Sequence, residues 1–86
     1  PALQQAEEPL VITLQKDGAI FVGRSRVDTL EQLTPVLVQI LSQREKKEVF
    51  LEADRELSYG RVVQVMAAAR KAGVEKLGMV SQPPRS

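Results

Sequence analysis

The sequence predicts an α/β two-layer sandwich, a mixed sheet of about four strands with two helices on one face, in the order β-β-α-β-α-β. Three observations predict it. Two runs of β-branched and aliphatic residues flank an Asp-Gly at positions 17 and 18. Two leucine-, valine- and alanine-rich segments follow at helical spacing. Each of those segments leads into a short apolar run, at 48–53 and 77–80. Strand-helix-strand units connect right-handed, which lays both helices on one sheet face and makes the strands they join parallel.

The first run is Leu10-Val11-Ile12-Thr13-Leu14-Gln15, where alternation puts Leu10, Ile12 and Leu14 on one face. Asp17-Gly18 between apolar runs is a strong hairpin signal, and the expected turn is type I′, with positive φ at both central residues. The return strand is Ala19–Val22, and 23–27 reads as a polar connection. Thr29-Leu30-Glu31-Gln32 fits a reciprocal helix cap, and Leu30, Leu33, Leu37 and Leu41 then recur on one stripe. Pro35 lacks the N–H that would reach Glu31. Either the helix runs through it with a disturbed first turn, the favoured reading, or Thr34 caps a helix beginning at Pro35. The helix is expected to end near Arg44.

Glu48–Ala53 is the clearest strand. Ser58 caps the next helix, with Val62, Val63, Met66 and Ala69 as its expected buried stripe and Tyr59 as a half-buried ring at its start. Gly73 stops it where a positive φ is needed, and Val74 packs back. Leu77–Val80 is the last strand.

Eighty-six residues make one domain with a modest core. Phe21, Phe50 and Tyr59 are its only aromatics, so that core is aliphatic. Net charge is +1 with the signs interspersed, and no basic face with interleaved aromatics suggests nucleic acid. There is no Cys and no His, which removes thiol chemistry and the commonest general base and metal ligand. No run of 18 apolar residues occurs to span a bilayer. Asp54, Arg55, Glu56, Ser58 and Tyr59 cluster between a strand end and a helix start, where α/β sheets bind ligands. Without an orienting His or a nucleophile elbow, these residues read as caps and loop ordering rather than as an acid–base pair. No phosphate-binding glycine motif or calcium-loop spacing is present. No catalytic, metal-binding or cofactor-binding residue is expected, and the chain reads as an interaction domain rather than an enzyme. The rival reading is a generic small α/β module that binds RNA or a small ligand.

Val49-Phe50-Leu51-Glu52-Ala53-Asp54, then Leu57-Ser58-Tyr59-Gly60-Arg61-Val62-Val63-Gln64-Val65-Met66, then Ala72-Gly73-Val74-Glu75-Lys76-Leu77-Gly78-Met79-Val80 resemble the ExbD/TolR family. The likeness extends to the upstream hairpin and Pro-interrupted helix, covering roughly residues 10–84, and Ser81-Gln82-Pro83-Pro84 is more like TolR than ExbD. Asp54, Tyr59 and Gly73 match motif positions, to which a structural role is assigned. The resemblance implies the periplasmic domain of a single-pass inner-membrane protein in a Gram-negative envelope. Such proteins join TolQ- or ExbB-type partners in a motor driven by the proton-motive force. The motor serves TonB-dependent transport or, through TolA, the Tol-Pal system. The resemblance also implies a homodimer and, for TolR-like members, an association with peptidoglycan. The family's proton-carrying Asp lies in a transmembrane helix that this chain lacks, so Asp54 does not inherit that role. Residues 1–8 are then expected to be the linker from that helix, 9–82 the periplasmic domain and 83–86 a C-terminal tail. The start at Pro1 without Met fits a piece of a longer protein.

Overall fold

The computed structural model describes residues 8–81, and the expectations for the linker and the tail fall on or beyond its ends. The elements are β1 (Leu10–Leu14), β2 (Ile20–Val22), β3 (Ser25–Val27), α1 (Leu30–Leu41), β4 (Glu48–Ala53), α2 (Tyr59–Lys71) and β5 (Lys76–Ser81). They form an α+β fold with one mixed sheet of order β3-β2-β1-β4-β5. β1 pairs antiparallel with β2 and parallel with β4, β2 pairs antiparallel with β3, and β4 pairs parallel with β5.

Five strands replace the four expected. The extra one, β3, lies in the segment read as a polar connection. Gly23, with φ 61°, opens a two-residue turn that returns the chain onto β2. Only Val27 of the three β3 residues is buried, so alternation was too short to detect. The Asp-Gly turn also differs from expectation. Asp17 keeps a negative φ and only Gly18, at φ 94°, is left-handed. Gly18 N–H donates to Gln15 O and Gln15 N–H to Ala19 O, both at 2.9 Å, closing a three-residue loop instead of type I′. The Asp17 carboxylate fixes that loop by accepting from Ala19 N–H at 3.0 Å.

Helix α1 runs unbroken through Pro35. Thr29 Oγ1 accepts from Gln32 N–H at 3.2 Å, the forward half of the expected reciprocal cap, while Gln32 Oε1 reaches one residue further back and accepts from Asp28 N–H at 3.3 Å instead of from Thr29 N–H. The helix stops at Leu41, short of the expected Arg44. Lys47 closes this end: its ammonium donates to the carbonyls of Leu41 and of Arg44, the latter at 2.7 Å. The Lys47 carbonyl then accepts from Glu75 N–H at 2.8 Å and Lys76 N–H at 3.2 Å, tying the entry of β5 to that of β4. Helix α2 ends in a double-bonded glycine cap. Gly73, at φ 104°, donates to Arg70 O, and Val74 N–H reaches back to Ala69 O.

Leu10, Ile12, Leu14, Ile20, Val22, Val27, Val49 and Leu51 form the covered sheet face. Leu33, Leu37 and Leu41 of α1 and Val62, Val65 and Ala69 of α2 pack on it. The α2 stripe is rotated from the one expected: Val65 is fully buried, while Val63 is 40% exposed. Replacing Gly73 by Ala is expected to destabilise the fold by about 1–2 kcal/mol, the cost of a Cβ at left-handed φ. Gly60, which is helical with open space around it, should become up to about 1 kcal/mol more stable as Ala. Urea denaturation of both variants checks the contrast.

Candidate functional site: the β5 edge and its flanks

Asp54 lies where β4 gives way to the turn into α2. Its N–H donates to Leu14 O at 3.0 Å, continuing the β1–β4 pairing past the strand ends. Its Oδ1 accepts from Glu56 N–H at 2.9 Å, and its carbonyl accepts from Leu57 N–H at 3.0 Å. Asp54 therefore closes the turn. The cap of α2 itself is Ser58, whose hydroxyl accepts from Arg61 N–H at 3.2 Å. Glu56 turns outward to an ion pair with Lys16 at 3.0 Å, both side chains more than 60% exposed. The hydrogen bond from Lys16 to Glu56, followed by the Glu56 charge, raises the Lys16 ammonium above its ordinary 10.5. These bonds organise the loop. Among the described residues no polar or charged residue is buried, and no cluster of three or more carboxylates could hold a metal.

Tyr59 stands apart from expectation. Its ring is 81% exposed rather than half-buried. As the first residue of α2 it points off the side remote from α1, because Ala68, roughly opposite on the helical wheel, faces α1 and accepts a hydrogen bond from Thr34 Oγ1 at 3.2 Å. Val63, Met66 and Arg70 continue the Tyr59 line at helical spacing.

The two sheet edges differ in kind. β3 has three residues and carries Arg26, which pairs loosely with Asp28 at 4.0 Å. Short length and an exposed charge are the usual protections of an edge. β5 has six residues and no charge after Lys76. Met79 is 57% exposed on the helix-bearing face and Val80 is 42% exposed on the open face. Between them lies Gly78, whose missing side chain is replaced by a neighbour: a Cβ there would come within 2.8 Å of Phe50 Cδ1. The Phe50 ring on β4 thus lies across Gly78 and reaches toward the strand edge. Among the described residues Tyr59, Val63, Met79 and Val80 are four of the five exposed large hydrophobics, the first two on α2 and the last two on β5.

The family described as biopolymer transport protein ExbD/TolR matches residues 2–84. The chain belongs to the ExbD/TolR family. It is 36% identical over 96 residues to the Tol-Pal system protein TolR of Pseudomonas aeruginosa, an alignment covering 96% of this chain and 65% of that protein. Biopolymer transport protein ExbD is 30% identical in both Pseudomonas putida, covering 86% of this chain and 52% of that protein, and Neisseria gonorrhoeae, covering 92% and 56%. The chain spans between about half and two thirds of the length of these relatives. The higher identity to TolR agrees with the leaning drawn from residues 81–84. Among the described residues no helix is long and apolar enough to cross a membrane.

Of the three motif residues, Asp54 and Gly73 act on the backbone, and Tyr59 is a surface group whose exposure the sequence did not reveal. Met79 and Val80 were read only as strand residues, and their exposure depends on β5 being the outermost strand, which follows from topology. Gly78 enlarged to Ala should destabilise the domain by about 1–3 kcal/mol through displacement of the Phe50 ring. The double variant with Phe50→Leu should recover part of that loss. Thermal unfolding of the two single variants and the double variant measures the coupling.

Proposed function

We propose that this chain is the non-catalytic periplasmic domain of an ExbD/TolR-like subunit. That subunit belongs to an inner-membrane motor driven by the proton-motive force, and the domain self-associates through its β5 edge. Family membership supports the motor context, and the names of the relatives point to biopolymer transport and the Tol-Pal system. The single observation that carries the interaction role is the β5 edge, without charge after Lys76 and bearing exposed Met79 and Val80, with Tyr59 and Val63 exposed on α2. An uncapped edge presents a row of backbone donors and acceptors to another strand, and exposed apolar side chains on both faces add area to such pairing. An 86-residue domain also gains from association, because its own core is small.

The rest of the subunit is proposed in the same frame. Residues 1–8 lead from a single transmembrane helix, and the motor partners are of TolQ or ExbB type. The domain meets TolA- or TonB-type proteins or peptidoglycan on the periplasmic side of a Gram-negative inner membrane. No residue of this chain carries the motor's proton, and no cofactor is required.

Sedimentation equilibrium tests the interaction role. The chain should show a monomer–dimer equilibrium, and Met79→Lys should weaken it roughly tenfold or more, equivalent to about 1.4 kcal/mol. Circular dichroism should remain unchanged, since Met79 lies outside the core. A strict monomer at high concentration, or a dimer indifferent to Met79→Lys, contradicts this role.

A further inference from the structure

We propose that Asp17–Gly18 is a modification site of this domain. Its backbone isomerises there to isoaspartate without an enzyme. The bonds of the β1–β2 loop hold the site shut in the folded chain, and it reacts when that loop opens. The inference is independent of the self-association reading.

The sequence singles out the position. The chain has no Asn, and its Asp residues are Asp17, followed by Gly18, Asp28, followed by Thr29, and Asp54, followed by Arg55. In the reaction the backbone nitrogen of the following residue attacks the side-chain carboxyl carbon. A Cβ on that following residue crowds the nitrogen, most of all a branched one, and only glycine has none. At Asp17 the bond from Gly18 N to Asp17 Cγ forms, and the carboxyl hydroxyl leaves with the amide proton as water. A five-membered succinimide remains. Water then adds to one of its two carbonyls. Opening at the carbonyl derived from the side chain restores Asp17. Opening at the main-chain carbonyl gives isoaspartate, with the chain running through Cγ. One water leaves and one returns, so the mass is unchanged and no co-reactant is needed.

The structure sets when this happens. Both residues are exposed, and no atom lies within 4 Å of where a Cβ on Gly18 would sit, so the ring has room and water reaches it. Bonding holds the reaction back. The Gly18 N–H, whose proton must be lost, donates to Gln15 O at 2.9 Å. Asp17 Oδ1 accepts from Ala19 N–H at 3.0 Å, which directs the carboxylate past the Gly18 nitrogen instead of onto it. Gln15 N–H closes the loop on Ala19 O. The loop is also tied to the β4–α2 turn, by Asp54 N–H to Leu14 O and by the Lys16–Glu56 ion pair. Reaction therefore waits for local opening, and its rate is the rate of the free Asp-Gly unit scaled by the open fraction.

The product does not fit the loop that made it. Isoaspartate lengthens the main chain by one atom between residues 17 and 18 and leaves no side-chain carboxylate to accept from Ala19 N–H. A hairpin loop this short has its length and turn geometry matched to the strands it joins. Leu14 and Ile20, which it brings opposite each other, are both buried. The lesion thus loosens the hairpin end of the core.

The test incubates the 86-residue chain at neutral pH, folded in buffer and unfolded in guanidinium chloride, with circular dichroism reporting the state of each sample. Isoaspartate is located by peptide mapping and counted by enzymatic methylation of isoaspartyl groups. It should form at Asp17 ahead of Asp28 and Asp54, and about tenfold or more slowly in the folded sample. Ala19→Pro removes the N–H that faces Asp17 Oδ1 and keeps the Asp-Gly pair. It should match the parent when unfolded and exceed it several-fold when folded. Folded protein enriched in isoaspartate should unfold at lower denaturant than fresh protein. Equal rates in the folded and unfolded parent chain overturn the proposal, as does isoaspartate that appears first at Asp28 or Asp54 or not at all in denaturant. A folded Ala19→Pro variant that isomerises at the parent rate overturns the Asp17–Ala19 bond as the guard. If Ala19→Pro does not fold, the comparison of the two parent samples decides.

Discussion

The parallel pairing of β1 with β4 is the constraint on which the rest of the domain depends. Ile12 lies opposite Leu51 and Leu10 opposite Val49, and Ile12, Leu51 and Val49 are wholly buried. Each such side chain contributes about 1.5–3 kcal/mol when removed from water. A parallel pair cannot be joined by a tight turn, so the chain between the two strands must cross over and cover them. β2, β3 and α1 fill that crossover, and α2 supplies the next. Once β4 stands beside β1, only its far side is left for β5. The outermost position of β5, and with it the exposure of Met79 and Val80, follows from the pairing at the centre.

The sheet has two unlike faces as a result. One is sealed by two helices whose inner stripes are aliphatic. The other carries Phe21 and Phe50, both half-buried, and no helix covers it among the described residues. Phe50 covers the place of the absent side chain at Gly78 and stiffens an edge strand that would otherwise lose packing there. Lys47 ties the two parallel crossovers together at the opposite end of the sheet. Its ammonium ends α1 and its carbonyl receives the start of β5, so a single residue aligns the edge strand with β4, its inner neighbour.

Much of this was legible in the residues because the decisive signals are local. Alternation marked β1 and β4, Ser58 and the Thr29–Gln32 cap marked the helix starts, and Gly73 marked a stop that only a left-handed residue serves well. What was missed depends on neighbours. β3 is three residues long with one buried side chain, too short for a period to register. The α2 stripe was misjudged at Val63 and Val65 because a run of valines is apolar in every direction, and only the position of the sheet decides which one turns inward. Tyr59 was assigned a half-buried ring on its residue type, yet it stands exposed on the side of α2 remote from α1. The carboxylates of the β4–α2 turn were read as caps and loop ordering, and the division of labour, with Asp54 closing the turn and Ser58 capping the helix, needed coordinates. The family resemblance carried the functional context.

Native-state hydrogen exchange at the β5 amides tests the central claim most directly. The N–H groups of Leu77 and Met79 face the open edge, whereas those of Gly78 and Val80 face β4. If β5 is the edge through which the domain associates, Leu77 and Met79 exchange rapidly in dilute protein and become protected as concentration rises, while Gly78 and Val80 are protected throughout. Leu77 and Met79 amides that exchange equally fast at every concentration, in samples that nonetheless associate, would contradict it.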